Sequence, residues 1–92
     1  MMEEKFLAAL AQAQQKAMSL GVRIRPVADM KAVHRILSGH RQSDGFYDLA
    51  ELGRLELSLE ALAVKKQFTG LFTDEQANNA LTRLLDAGYT FK

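Results

Sequence analysis

Residues 73–88 read TDEQANNALTRLLDAG, and this stretch contains every signal of an amphipathic α-helix. Thr73 and Gln76 have the spacing of a capping box, and two acidic residues lie between them, where the helix dipole favours negative charge. Gly88 can end the helix as a C-terminal cap residue. We therefore predict a C-terminal core helix over about residues 74–87, buried along one apolar stripe. That stripe consists of Ala77, Ala80, Leu81, Leu84 and Leu85.

The N-terminal segment is the second strong helix signal. Residues 3–20 are mostly strong helix formers, and Gly21 follows them as a C-terminal cap residue. We predict that this helix is the longest in the chain. Its apolar spacing is typical of coiled coils but covers only about two heptads, which favours one helix of a bundle over a dimeric zipper. The apolar positions are Phe6, Leu10, Ala13, Ala17 and Leu20.

The segment after the first helix predicts a connection and then a second helix. Pro26 biases Arg25 away from the helical conformation. Proline is tolerated just at the start of a helix, and aspartate is a good N-cap residue. The second helix therefore begins at Val27 or at Asp29, and it ends at Ser38.

Two further helices are predicted in the second half of the chain. One spans about residues 46–52, and either Ser43 or Asp44 can act as its N-cap. The other spans about residues 59–67, with Ser58 as its N-cap.

These elements together predict an all-α fold, a compact bundle of four to five helices that forms one domain over residues 1–92. The hydrophobic content of 48% and the charged content of 25% are typical of a globular protein. A chain of 92 residues buries only about two-thirds of the surface of its unfolded state, so the core is thin. A thin core restricts an enclosed active site but does not restrict a binding face.

The absence of cysteine excludes disulfides, thiolate metal sites and thiol nucleophiles. Glu3 and Glu4 stand where a signal peptide carries positive charge, so no signal peptide is expected. No stretch approaches the roughly 20 apolar residues that a membrane-spanning helix needs. These features favour a cytoplasmic protein.

The net charge of +1 conceals two blocks of opposite sign. Residues 23–41 contain five basic residues and one acidic residue, a net charge of +4, whereas residues 42–64 contain five acidic residues and one basic residue, a net charge of −4. Such separation of charge is the least generic feature of the sequence. The candidate basic face consists of Arg23, Arg25, Lys31, Arg35, His40 and Arg41.

Three interpretations of the basic face stay open. Its side chains can contact the phosphates of a nucleic acid, pair with the acidic segment 44–60 of the same chain, or pair with a partner protein or a second copy. A conventional helix-turn-helix is not expected. One alignment places Pro26 inside the recognition helix, and the other gives that helix Glu56 and Glu60, which repel phosphate.

Aromatic residues are concentrated in the second half of the chain. Phe46 and Tyr47 are adjacent on a short predicted helix, so both cannot point into one core. Tyr89 and Phe91 lie at or beyond the end of the last helix. We treat these four as candidate interface anchors, because exposed aromatics often carry binding energy. The alternative is that all of them fill the thin core.

The sequence contains no catalytic constellation. The best candidate metal ligands are His40, Asp44 and Asp48, but a glycine interrupts the helix that would align them, so no metal site is expected. Phosphate-binding glycine loops and nucleophile elbows are absent from the sequence. We therefore predict neither an enzyme nor a cofactor, and no small-molecule substrate.

The leading hypothesis from the sequence is a non-catalytic protein-interaction module, with self-association into a homodimer as one form of it. The alternative is a small regulator that binds DNA or RNA through the basic segment 23–41.

Overall fold

The computed structural model describes residues 2–27 and 29–89. Over these residues the chain is all-α, as predicted, with five α-helices and two 3₁₀ helices. The α-helices are α1 (Met2–Ser19), α2 (Met30–Ser38), α3 (Phe46–Glu51), α4 (Leu59–Ala63) and α5 (Asp74–Asp86), and the 3₁₀ helices span Leu55–Leu57 and Lys66–Leu71.

The predicted helix starts are confirmed where a polar side chain caps the helix. Thr73 and Gln76 form both hydrogen bonds of a capping box at the start of α5, each 3.1 Å long. Ser58 caps α4, and Asp29 rather than Val27 stands at the start of α2. Each accepts a hydrogen bond from the backbone N–H three residues further on, at 3.1 Å and 2.8 Å respectively. The prediction that the first helix is the longest is also confirmed, since α1 contains 18 residues.

Helix α4 is shorter than predicted. It ends at Ala63 instead of near residue 67, and a 3₁₀ helix follows after an extended residue at Lys65. A continued helix would carry Lys66 and Gln67 onto the face of Ala63, which is fully buried. The break avoids this and lets Phe68 enter the core, where it is 2% exposed.

Helix α5 is rotated relative to the predicted stripe. Leu81 and Leu85 are 37% and 56% exposed, whereas Gln76 and Arg83 are buried. The reason lies in the last carbonyl groups of α2, which have no partner inside their own helix. Side chains of α5 reach these groups, and Asn79 donates to the carbonyl of Leu37 at 2.9 Å. Polar side chains of α5 therefore face α2, and the outer leucines are displaced towards solvent.

The core consists of two apolar clusters that share α1. The first lies between the N-terminal half of α1, α2, α4 and the 3₁₀ helix Lys66–Leu71. In it Phe6 contacts Phe68 edge to face, with ring centroids 5.1 Å apart. The second lies around α3, the 3₁₀ helix Leu55–Leu57 and Leu84 of α5. Helix α4 runs between the clusters, and all five of its residues are buried.

The apolar seam of α1 is used inside the domain. Phe6, Leu10 and Ala17 are fully buried, although Leu20 at the end of the seam is 42% exposed. The seam is therefore covered by the rest of this chain and is not available for a zipper with a second copy. This agrees with the prediction of a bundle helix.

Candidate interaction surface

A buried ion pair joins α4 to α5. Glu60 is fully buried and Arg83 is 7% exposed, and Nη1 of Arg83 lies 3.1 Å from Oε2 of Glu60. Burial of two charges is costly unless each makes further hydrogen bonds. Arg83 meets this condition by donating from Nη2 to the carbonyl oxygens of Ile36, at 3.2 Å, and Gly39, at 2.8 Å. The pair thus connects α4, α5 and the end of α2.

The same glutamate holds the loop that follows α2. Its carboxylate accepts one hydrogen bond from the backbone N–H of Ser43, at 2.9 Å, and one from the Ser43 hydroxyl, at 2.6 Å. Ser43 is therefore not the N-cap of α3, which was one of the two predicted caps. Gly45 occupies the N-cap position, without a side-chain hydrogen bond. The loop is consequently fixed at both ends, at Gly39 by Arg83 and at Ser43 by Glu60.

The connection between α1 and α2 is also held in place by side-chain hydrogen bonds. It forms no regular secondary structure over residues 22–27. The side chain of Gln14, which is 7% exposed, accepts a hydrogen bond from the backbone N–H of Val27 at 3.3 Å. Asp44, the other predicted cap of α3, accepts instead from the backbone N–H of Arg25 at 3.3 Å. The connection and the loop are thus joined to each other and to α1.

An open groove lies between the connection, α2 and the loop. Its volume is about 800 Å³, and we call it the groove. One wall is the connection from residue 24 to residue 27, the opposite wall is α2, and the loop over residues 39–44 closes one side. The apolar side chains that line it are Ile24, Pro26, Val27, Ala32, Ile36, Leu49, Leu57 and Leu59.

The predicted basic face divides in two. Four of its six members line the groove. Arg23 and Lys31 are exposed but do not line it. The four that converge on the groove are Arg25, Arg35, His40 and Arg41.

The groove arginines do not pair with the acidic segment of their own chain. Within residues 2–27 and 29–89, the side chains of Arg25, Arg35 and Arg41 make no ion pair or hydrogen bond. The described ion pairs of the acidic segment are made by Glu56 and Glu60, with Arg54 and Arg83 respectively. Pairing between segments 23–41 and 44–60, one of the three interpretations of the basic face, is therefore not found between side chains in the described structure.

The Glu56 carboxylate forms a short hydrogen bond although it lies at the surface. Its Oε2 atom lies 2.6 Å from Nε of Arg54, and this hydrogen bond lowers the pKa of Glu56 from its usual value. Both side chains stay partly exposed. The pair contributes little stability for that reason, but it removes Glu56 from the acidic groups available to a partner.

Two acidic residues also line the groove, and both carboxylates are already hydrogen bonded. Asp29 caps α2 and Asp44 accepts from the connection. Their hydrogen-bonding capacity is partly used by backbone N–H groups. The guanidinium groups at the groove are therefore the polar groups best able to bind an incoming ligand.

The candidate aromatic anchors have different environments. Tyr47 is 65% exposed and Tyr89 is half-buried, packed against the second core cluster. Phe46 is 1% exposed and belongs to that cluster, so it has to be removed from the set of surface anchors. The two adjacent residues differ in exposure because α3 buries only one face, and their rings meet edge to face with centroids 5.9 Å apart. Phe91 lies outside the described residues.

Tyr47 lies close to the groove. A shallower depression of about 490 Å³ is lined by residues 41–48 and includes Tyr47. It shares residues 41–44 with the groove, so the loop separates the two concavities. The groove, the loop and Tyr47 therefore form one continuous surface.

Gly45 allows the loop to pack closely against the connection. Its φ angle is +78°, and a Cβ atom there would lie 2.6 Å from Cγ1 of Val22 and 2.8 Å from Cγ1 of Ile24. We expect Gly45→Ala to lower the free energy of unfolding by about 2–4 kcal/mol, from the left-handed backbone and the overlap together. Gly53→Ala is the control, because φ is +70° there but nothing lies within 4 Å of a Cβ atom.

Urea unfolding of both glycine variants measures the difference. The control isolates the backbone term, which is about 1 kcal/mol. An equal loss of stability in the two variants would show that the loop is not packed against the connection as described.

Sequence reasoning missed the residues that build the groove. From the sequence, Glu60 is only one member of the acidic segment 44–60, and no local pattern distinguishes Arg83 or Gln14. One signal was present for Glu60, since it stands in the run Leu57–Val64, where every other residue except Ser58 is apolar. A charge inside such a run requires a buried partner, but the sequence does not say which of the basic residues supplies it.

The candidate metal ligands do not form a metal site. His40 and Asp44 line the groove, whereas Asp48 lies in the neighbouring depression. No group of three or more His, Asp or Glu side chains in the described residues is arranged to hold a metal ion. Similarly, none of the helices over residues 2–27 and 29–89 combines the length and hydrophobicity of a membrane span.

Comparison of the chain with protein-family models, with curated proteins and with solved structures returned no match.

Proposed function

We propose that this chain is a non-catalytic protein-interaction module and that the groove is its binding surface. The observation that carries the proposal is the convergence of Arg25, Arg35 and Arg41 on an open, largely apolar groove without ion-pair partners in the described structure. Apolar side chains at the centre of an interface supply binding energy, and charged side chains at its rim supply specificity and speed of association.

The fixed walls of the groove support a binding role. A partner that binds a mobile surface has to pay for ordering it, and a surface that is already ordered avoids this cost. Here Glu60 and Arg83 fix the loop, and Gln14 fixes the connection. The two buried charges thereby hold the loop in place. They give this small protein a recognition surface that is ordered before a partner binds.

The alternative function, binding of nucleic acid through segment 23–41, has weaker support. Arg23 and Lys31 do not line the groove with the other basic residues, so the structure does not gather the basic segment on one surface for a phosphate backbone. The apolar lining of the groove suits a protein side chain better than a phosphate.

The proposal includes a cytoplasmic location, which the absence of cysteine favours.

Filling the groove tests the proposal. Ala32 lines the groove from α2, and Ala32→Trp places an indole inside it. Ala8→Trp is the matched control, because Ala8 is exposed on α1 and does not line the groove. Both tagged variants and the unchanged chain are used to capture proteins from a lysate of the native host, after circular dichroism confirms that all three are folded.

We expect a protein partner that the unchanged chain and Ala8→Trp capture and that Ala32→Trp loses by at least about tenfold. A captured second copy of the chain counts as such a partner. The proposal is overturned if nothing is captured, or if Ala32→Trp captures the same proteins equally well. It is also overturned if only nucleic acid is recovered, with a steep dependence on salt that Arg35→Glu and Arg41→Glu abolish.

A further inference from the structure

The exposed face of α3 carries two carboxylates, which are opposite in charge to the groove arginines. Asp48 and Glu51 are both exposed and lie three residues apart, so they share one side of the helix. In the part of the chain that the structure describes, neither carboxylate makes an ion pair or a side-chain hydrogen bond. They are the acidic residues of segment 44–60 that stay available, because Glu56 and Glu60 form internal ion pairs and Asp44 accepts a backbone hydrogen bond.

Apolar surface accompanies these two carboxylates. Tyr47 is 65% exposed on the same short helix, and Leu52 at its C-terminal end is 51% exposed. A surface that combines two carboxylates with a tyrosine and a leucine is complementary to an apolar groove with arginines around it.

The two complementary surfaces are neighbours in one chain. Asp48 and Tyr47 line the shallower depression, which shares the loop with the groove. When complementary patches are adjacent, a twofold axis between them can place each patch of one copy on the other patch of its partner. Both contacts then form at once and the dimer closes, whereas distant patches would produce larger rings or open chains.

We propose that the partner in the groove is α3 of a second copy of this chain, so that the protein forms a closed, twofold homodimer. The inference rests on the proposed function and names its partner. Asp48 and Glu51 of each copy face the groove arginines of the other, and Tyr47 contributes the aromatic contact. A stable interface needs about 600–1,000 Å² from each copy, which is between about a tenth and a sixth of the 6071 Å² that the chain exposes.

Other faces fit a second copy less well. The seam of α1 is buried within the domain. Leu81 and Leu85 form an exposed apolar edge on α5, but Arg83, the basic residue of that helix, is buried in the pair with Glu60. Leu85 therefore serves as the control position for the dimer.

Reversal of charge tests the inference with the purified chain alone. One variant carries Arg35→Glu and Arg41→Glu, and the other carries Asp48→Lys and Glu51→Lys. Sedimentation velocity at about 1–200 μM, a range that detects micromolar dissociation constants, measures the association of each variant, of the unchanged chain and of an equimolar mixture of the two variants. Leu85→Glu is the control, and thermal unfolding confirms that every variant is folded.

We expect the unchanged chain and Leu85→Glu to dimerise equally well. Each reversed variant weakens its own dimerisation by at least about tenfold, because charges of like sign then face each other. The mixture regains dimerisation, since both contacts in the mixed dimer again join opposite charges. Added salt weakens the dimer of the unchanged chain.

Several results overturn the inference. One is a monomer at every concentration, and a second is a dimer that Leu85→Glu disrupts or that neither reversal affects. A third is a mixture that stays monomeric although each variant is folded. In any of these cases the proposed function is judged separately. If Ala32→Trp still abolishes capture of a different protein, the groove binds a partner and only the identity of that partner was wrong.

Discussion

Glu60→Gln is expected to lower the free energy of unfolding by about 3–5 kcal/mol, the loss typical when one partner of a buried ion pair is removed. The variant keeps the shape of the side chain but leaves the guanidinium of Arg83 buried without its counter-charge. It also replaces one of the oxygens that accept from Ser43 by an amide nitrogen, which cannot accept. The loss is measured by urea unfolding followed by circular dichroism.

Two comparisons separate the effect of burial from the effect of charge. Glu56→Gln removes the same charge from the exposed pair with Arg54 and should cost no more than about 1 kcal/mol. The double variant Glu60→Leu with Arg83→Met removes both buried charges, and we expect it to be more stable than either single change. If Glu60→Gln is no more harmful than Glu56→Gln, the buried pair described here does not form.

The same variant links stability to the binding surface. Glu60 holds the loop at Ser43, so its loss should release the wall of the groove before the whole domain unfolds. Amide hydrogen exchange at Ser43, whose backbone N–H donates to Glu60, should then become faster than exchange in α1. Faster exchange at this position is expected to accompany weaker binding in the groove.

Phe6→Ala is the second large effect, and we expect a loss of about 3–5 kcal/mol. Phe6 is fully buried, and its ring contacts Phe68 and Phe72 edge to face with centroid distances of 5.1 Å and 5.2 Å. Truncation leaves a cavity where α1 meets the 3₁₀ helix Lys66–Leu71. In a domain of this size such a loss is a large part of the total stability.

Tyr47→Ala is the matched control for this change. It removes an aromatic ring of similar size, but from a residue that is 65% exposed, and it should change the free energy of unfolding by less than about 1 kcal/mol. Urea unfolding of the two variants therefore separates a core aromatic from a surface aromatic. Equal losses in both would contradict the assignment of Phe6 to the core and Tyr47 to the surface.

The fold was largely predictable because α1, α2, α4 and α5 each have a local signal at one or both ends. The capping box at Thr73, the N-caps at Asp29 and Ser58 and the glycine after α1 involve residues within a few positions of each other. Contacts of this range can be predicted from a sequence without knowledge of the tertiary structure. The same holds for the apolar seam of α1, whose period alone indicates a helix with one buried face.

The candidate site was predictable only in part. Segment 23–41 was identified from its charge, and four of its basic residues do line one groove. Charge along the sequence, however, does not specify direction, so Arg23 and Lys31 could not be separated from the others. Adjacency on a short helix likewise showed that Phe46 and Tyr47 must differ, but not which of them enters the core.

Local patterns in the sequence by themselves determined the helices, their order and the separation of charge along the chain. Tertiary structure alone decided the pairing of Glu60 with Arg83, the rotation of α5 and the shape of the groove. The physical reason is that these features join residues far apart in the sequence, 23 positions in the case of the ion pair. A buried charge pairs with an opposite charge that the packing of the helices places next to it. Such a pair produces no periodic pattern in the sequence.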